Sequence, residues 1–357
     1  MTLPEQLTAR VFPYRLTFKK PGGTSRGVLH DKISWMVVVE DENGKTGRGE
    51  CGPLKGLSYD DRPDFGSRLT RLCEQFNAGQ WAVFEESLAD YPSMRFGFEM
   101  ALLDYTQGGE MVLFPSSFTT GATPIDINGL IWMGSAREME RQIADKITDG
   151  FSCLKLKVGA IDFEQEVELL TDIRSSFPAA DLELRLDANG AWTPEEARQK
   201  LEILAKHDIH SIEQPIRAGQ LQAMASLCRT TPIPIALDEE LIGIFEAAEQ
   251  HALLQAVQPA FIILKPTLLG GFEASEQWIS QANNLNIRWW VTSALESNIG
   301  LNAIAQWTAT LGNILPQGLG TGGVFINNFD GPLSVKSGRL SYQPQNSWQL
   351  QGFRDNL

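Results

Sequence analysis

Cysteine is scarce in this chain: four among 357 residues, at positions 51, 73, 153 and 228, with no C-x-x-C pair. That spacing excludes a disulfide scaffold, and four histidines are too few to complete a zinc set around any of them. The thiols read as free, in a reducing compartment. Positive charge is also in short supply. Against 44 Asp and Glu stand 30 Lys and Arg, a formal net charge of −14 with a pI near 4.8. Such a balance excludes the clustered cations that nucleic acid or an anionic membrane would need. No apolar run approaches the roughly 18 residues of a membrane span, and the opening "MTLPEQLTARVFPY" lacks the apolar core of a signal peptide. The expectation is a cytoplasmic protein whose partner is a small molecule.

What is present is ordinary for a soluble globular chain: 43% hydrophobic residues and a length that suits about two domains. Residues 33–51 hold two strand-like runs joined through Asn43-Gly44, a hairpin dipeptide. Met94, Phe98, Leu102 and Tyr105 follow at helical spacing and stop before Gly108-Gly109. Antiparallel strands and a helix together predict an α+β unit over residues 1–120. From Pro124 the rhythm changes to short apolar strands alternating with polar helices, such as "TPEEARQKLEILAKH", where Thr193, Pro194 and Glu196 spell a capping box. The strand candidates are "IDINGLIW", "CLKLKVG", "LELRLDANG", "SIEQP", "IPIALDEE", "AFIILKPT" and "IRWWVTS". Strand, helix, strand predicts a parallel sheet. A polar residue ends six of these strands, at 157, 187, 213, 238, 265 and 293, at intervals of 30, 26, 25, 27 and 28. A barrel gathers all such ends around one mouth, which an open sheet does not. A TIM-type barrel over residues 121–325 follows, with a tail from 326 to 357 returning to the N-terminal unit.

In "FSCLKLKVGA" Lys155 and Lys157 alternate with Leu154, Leu156 and Val158, so two cations share one face of an otherwise apolar strand. A buried ammonium needs a carboxylate opposite it. Asp187, Glu213 and Asp238 end three successive strands. Three carboxylates that close repel unless a cation holds them, and an all-oxygen set without Cys or His points to a hard ion, Mg²⁺ or else Mn²⁺. Lys265 in "IILKPT" ends the next strand. The lysines would flank a carboxylate substrate held on the metal.

These same residues carry a family resemblance. "KLK", "DANGAW", "EQP", "LDEE" and "KPTLLGG", in that order and at those intervals, resemble the barrel of the enolase superfamily in its muconate-lactonizing subgroup. The resemblance spans nearly the whole chain, because that family joins a (β/α)7β barrel to an α+β capping domain. Within the subgroup, "PSMRFGFEMALLD", "INGLIWMG" and "SALESNIGLNAIAQW" look most like the o-succinylbenzoate synthase branch of menaquinone biosynthesis. The resemblance implies a hydro-lyase that dehydrates a cyclohexadiene carboxylate. By it, Lys157 would take the proton α to the carboxylate, and Asp187, Glu213 and Asp238 would hold Mg²⁺, which stabilises the ene-diolate. Lys265 would face the other side of the ring. A lysine must be neutral to act as a base, and Lys155 next to Lys157 would tune it. Ser293 and Glu296 in "SALES" are candidate substrate contacts.

Rival readings stay open at this point. An N-succinylamino acid or dipeptide racemase would use Lys157 and Lys265 as opposed acid and base. A Schiff-base aldolase would use a lysine covalently without metal, and a binding protein would do no chemistry. "SALE" replaces the Asp-x-Asp of dipeptide epimerases, and Glu240 stands where relatives commonly carry Ser in "DES". Among weaker signals, "LLGG" (268–271) could present backbone N–H groups to an anion. "GLGTGG" (318–323) reads as a loop after the last strand rather than a phosphate cradle. His207 and His210 read as surface residues, and the cationic stretch 18–27 as either a solvated loop or a flap over the site.

Overall fold

A computed structural model describes residues 7–24 and 27–354 of the chain. It opens with an antiparallel sheet of β1 (Leu7–Thr24), β2 (Gly27–Asp41) and β3 (Thr46–Cys51), in that order. The run Met36–Val39 is buried without alternation because both faces of β2 are covered. Val37 and Val39 face α1 (Phe65–Asn77), α2 (Trp81–Ser87) and α3 (Pro92–Thr106), while Met36 and Val38 pack with Ile299, Phe329 and Phe353. The Asn43-Gly44 turn closes β2 onto β3, with Gly44 at φ +79° and the Asp41 carboxylate accepting the N–H groups of Asn43 and Lys45. Where it is described, the stretch 18–27 is strand rather than a solvated loop, with Gly22 set against the Trp132 ring. Phe18 leaves β2 to bridge Phe325, and the chain then rejoins the hairpin, pairing Gly22 with Leu29. Ser25 and Arg26 lie outside the described residues, as does the segment 1–6.

The rest is built on seven parallel strands. After β4 (Ile125–Asp126) come β5 (Gly129–Ile131), β6 (Cys153–Lys157), β7 (Glu183–Asp187), β8 (Ser211–Glu213), β9 (Ile235–Leu237), β10 (Phe261–Leu264) and β11 (Arg288–Val291), each beside the next. The connections are α4 (Ala136–Thr148), α5 (Phe163–Ser176), α6 (Pro194–Leu204), α7 (Leu221–Thr230), α8 (Ala247–Val257), α9 (Pro266–Leu269) and α10 (Phe272–Asn284), and α11 (Asn298–Thr310) follows the last strand. The predicted capping box at Thr193 and Glu196 is formed. Side chains alternate as a two-residue period demands. Leu154, Leu156, Leu184, Leu186, Ile212, Ile235, Leu237, Ile262, Leu264 and Val291 join the core shared with the helices. On the concave face Ala236, Phe261, Ile263 and Trp290 make a separate small cluster, with the Arg185 guanidinium stacked 4.2 Å from the Trp290 ring.

The sheet curls until its two edges meet one dipeptide. Gln317 bridges Ile127 beside β5, and Gly318 bridges Thr292 at the end of β11. Four backbone hydrogen bonds of 2.8–3.1 Å hold them there. A hairpin of β12 (Leu333–Lys336) and β13 (Arg339–Tyr342) then pairs with β4. Beyond it Trp348, Leu350 and Phe353 pack against the N-terminal sheet. Among the described residues no helix is long and apolar enough to cross a membrane.

Candidate active site

Register puts the chemistry in one row. Lys157 pairs with Asp187 and Asp187 with Glu213 across β6, β7 and β8, all at C-terminal strand ends, and Asp238 and Lys265 follow β9 and β10 directly. Lys155, Lys157, Asp187, Asp238 and Lys265 line a cavity that opens to solvent. Glu213 sits in the row but beneath the cavity surface, 1% exposed.

Asp187 and Asp238 are 1% and 3% exposed, so the three acids need counter-charge. The lysines supply it. Lys155 Nζ lies between Asp187 Oδ2 (2.9 Å) and Glu213 Oε2 (2.5 Å). Lys157 Nζ donates to Asp187 Oδ2 at 2.8 Å and to Asn189 Oδ1 at 2.6 Å. Lys265 Nζ donates to Asp238 and stands 4.0 Å from Glu213. Burial alone would pull the Lys155 and Lys265 ammonium groups down, but the acids outweigh it and hold both above the ordinary lysine value. Burial would raise Asp187, yet Lys155, Lys157 and Lys265 keep it far below the usual carboxylate range. Glu213 goes the other way, raised to about 8 by burial and by Asp187. The two acids that share Lys155 are thus driven apart.

Neither Glu213 oxygen makes a hydrogen bond within the protein, so this acid is held by ion pairing alone. Three buried carboxylates on adjacent strands form a hard, oxygen-only donor set of the kind Mg²⁺ takes. Among the described residues the acids do not themselves close into a ligand shell, because ammonium groups stand between them.

Ser293 lines the cavity, but Glu296 does not. Its oxygens are taken by the hydroxyl groups of Thr267 and Ser293 and by the N–H of Ala294, behind the wall, so the expected substrate contact is a loop brace. Glu240 likewise braces, accepting from Gln214 Nε2 and Gly219 N, whereas its neighbour Glu239 lines the cavity and accepts from Asn189 Nδ2. The N–H groups of "LLGG" itself donate to the Lys265 and Pro266 carbonyls, and the helix that follows meets an internal acid: Glu99 of α3 accepts from Phe272 N and Glu273 N at the start of α10. His207 is buried against Thr171, and His210 is half-buried on Phe261. "GLGTGG" is part of the wall, through Gly318, Gly320 and Thr321.

Sequence reasoning missed Asn128 and Thr292, which also line the cavity. Asn128 Oδ1 and Thr292 Oγ1 are buried with no hydrogen-bond partner in the protein. A signal existed for Asn128, the polar residue inside "IDINGLIW", at the one strand for which no polar end was assigned. Leu54, Leu57, Leu130 and Trp132 make the apolar side of the mouth.

Comparison with known proteins finds relatives of this chain in sequence and in fold. Residues 138–345 match the enolase C-terminal domain-like family and residues 7–105 the MenC N-terminal domain. An o-succinylbenzoate synthase of Desulfotalea psychrophila is 46% identical, over 91% of this chain and 96% of the relative. The crystal structure of MenC from the same organism superposes with a TM-score of 0.83 at 42% identity, covering 94% of this chain and all of that one. A dipeptide epimerase of Enterococcus faecalis, complexed with Mg and L-Leu-L-Tyr, shares the fold at a TM-score of 0.82 and 21% identity, over 96% of this chain and 98% of that one.

Proposed function

The chain belongs to the enolase C-terminal domain-like family with a MenC-type N-terminal domain, and on that premise we propose that it is an o-succinylbenzoate synthase. The reaction dehydrates 2-succinyl-6-hydroxy-2,4-cyclohexadiene-1-carboxylate to 2-succinylbenzoate and water, a step of menaquinone biosynthesis. The observation that carries it is a row of amines and acids, Lys157 to Lys265, along one cavity in a chain 46% identical to an enzyme of that name. In this reading the curled sheet is a (β/α)7β barrel of TIM type over 121–325, which the shared dipeptide 317–318 supports. Residues 1–120 and the tail 326–357 make the capping domain.

Lys157 removes the proton from the ring carbon that bears the carboxylate. Asn189 Oδ1 and Asp187 Oδ2 fix its nitrogen in the cavity, so the amine needs little reorganisation to reach that proton. The departing hydroxyl leaves as water with the proton Lys157 has just taken, which returns the amine to its starting state. Lys265, four strands away along the same rim, stabilises the negative charge that spreads into the ring. Lys155 is held by Asp187 and Glu213, favours their charged forms and keeps both in place. Mg²⁺ on Asp187, Glu213 and Asp238 would bind the substrate carboxylate and offset the charge that builds there.

The test is a spectrophotometric assay of the dehydration with Mg²⁺ and with chelator, on native protein, Lys157→Ala and Lys265→Ala. Loss of a positioned base costs about 10²- to 10⁴-fold in rate, and Lys157→Ala is expected to lose at least that. Native protein that exchanges or racemises the α-hydrogen of an N-succinylamino acid, but does not dehydrate the cyclohexadiene, would replace this reading with racemase chemistry.

A further inference from the structure

Behind the cavity wall lies a buried polar network that the reaction steps leave unused. The loop 293–297 gives the wall Ser293, Ala294 and Leu295. Lys32, on β2 of the N-terminal sheet and only 5% exposed, donates to the carbonyls of Leu295 at 2.9 Å and Ala294 at 3.2 Å. Leu295 is at φ +63°, a left-handed conformation that costs a side-chain-bearing residue and that glycine adopts freely. Glu296 ties the same loop to Thr267, two residues past Lys265. Glu50, on β3, accepts from the Ser34 hydroxyl, from the N–H and hydroxyl of Ser297, and from Gly300 N. The carboxylates whose charge reaches the Lys32 ammonium are Glu296 and Glu50. Both are wholly buried and hydrogen-bonded.

An apolar side chain could fill the place of Lys32 at less desolvation cost. What the ammonium adds is direction: it holds two consecutive carbonyls and with them a left-handed turn. We propose that Lys32 is a positioning residue for the reaction, which fixes Ala294 and Leu295 in the turn that shapes the cavity wall beside Lys265. Through Lys32 the N-terminal unit thereby acts on the fit of the substrate from behind the wall, in addition to the contact surface that Leu54 and Leu57 give the mouth. The inference rests on the synthase reading.

A double-mutant cycle tests it, with kcat, KM for the cyclohexadiene carboxylate and the thermal unfolding midpoint measured on native protein, Lys32→Met, Leu295→Gly and the double variant. Lys32→Met is expected to raise KM at least tenfold while changing kcat less than threefold. In the Leu295→Gly background, where the turn needs no clamp, the same change should shift KM less than threefold. A merely structural lysine would lower the unfolding midpoint equally in both backgrounds and leave KM alone. A native KM in Lys32→Met, or an equal KM penalty in both backgrounds, overturns the proposal. If Lys32→Met does not fold, Lys32→Gln, whose shorter and uncharged side chain carries two N–H donors in place of three, takes its place with the same deciding outcomes. Native protein that fails to dehydrate sinks the functional reading; active native protein without the coupling sinks only the role of Lys32.

Discussion

Asn128 brings to the cavity a carbonyl oxygen that no group of the protein satisfies. A buried polar atom without a partner costs about 1–3 kcal/mol, and a substrate donor that fills the gap recovers it. Asn128→Ala is therefore expected to raise KM about tenfold, equivalent to about 1.4 kcal/mol, with kcat nearly unchanged; an unaltered KM would show that the substrate does not use this oxygen. Asp60, which is not among the residues that line the cavity, gives a second residue-scale outcome. It is fully buried, with Oδ2 bound to the N–H and hydroxyl of Ser93 and Oδ1 unpartnered. Burial raises its pKa to about 6, against the lowering effect of Ser93. The folded protein thus holds a proton on Asp60 between about pH 4 and 6 that the unfolded chain has released, so this group's contribution to stability falls as pH rises through that window. Over about two pH units the loss amounts to at most roughly 2–3 kcal/mol. Asp60→Asn, which mimics the protonated acid, should flatten that part of the pH–stability curve when urea unfolding is compared with native protein from pH 4 to 7. Curves of identical slope would mean that Asp60 stays ionised throughout.

At the scale of elements, β3 shows how small residues set packing. In "TGRGEC" Gly47 and Gly49 lie under α3, and a Cβ on Gly49 would come within 2.0 Å of the Gly97 carbonyl. A backbone oxygen cannot rotate aside, so the helix itself would have to lift. Overpacking of this kind costs about 1–3 kcal/mol or more. Gly49→Ala should lower the urea midpoint accordingly, and a native midpoint would show that α3 rides more loosely on the sheet than its spacing implies. Elements of this kind differ in how plainly the sequence declares them. The seven parallel strands and the capping box at Thr193 were readable because each is a local pattern: alternation, or two side chains three residues apart. The row Lys157, Asp187, Glu213, Asp238, Lys265 followed from the regular interval between strand ends. What Glu296 braces, and which anion the helix after "LLGG" meets, were not legible because one partner of each is far away in sequence. Thr267 stands 29 residues from Glu296 and Glu99 stands 173 from Phe272, and no local pattern announces either. No strand was read before residue 33, so β1 was missed whole; its second half is hidden because Gly22-Gly23 reads as a loop and the ladder resumes only after Phe18 has bridged Phe325.

At the scale of the whole molecule, the N-terminal sheet is not a separate body resting on the rest. Its middle strand is shared by two cores, with Val37 and Val39 on one side and Met36 and Val38 on the other, the latter against Ile299 of α11 and the tail residues Phe329 and Phe353. Two carboxylates reinforce the join, each from the N-terminal unit and each bound to the first N–H groups of a helix beyond the curled sheet: Glu50 at α11 and Glu99 at α10. The free N–H groups and the helix dipole both favour negative charge there, although at Glu99 burial outweighs them and raises its pKa to about 7. Neither part can leave without stripping apolar surface and helix ends from the other, so unfolding should be a single cooperative event despite the length of 357 residues. The nine tryptophans run from Trp35 in the N-terminal sheet to Trp348 in the tail, so fluorescence reports on both parts. Urea transitions followed by tryptophan fluorescence and by far-ultraviolet circular dichroism are expected to superimpose. Replacing both acids, Glu50→Gln with Glu99→Gln, should move the common midpoint down without splitting it. Two resolved transitions in the native protein would mean that the shared strand and the two acids do not couple the units, and with that the route from Lys32 to the cavity wall would lose its rigid support.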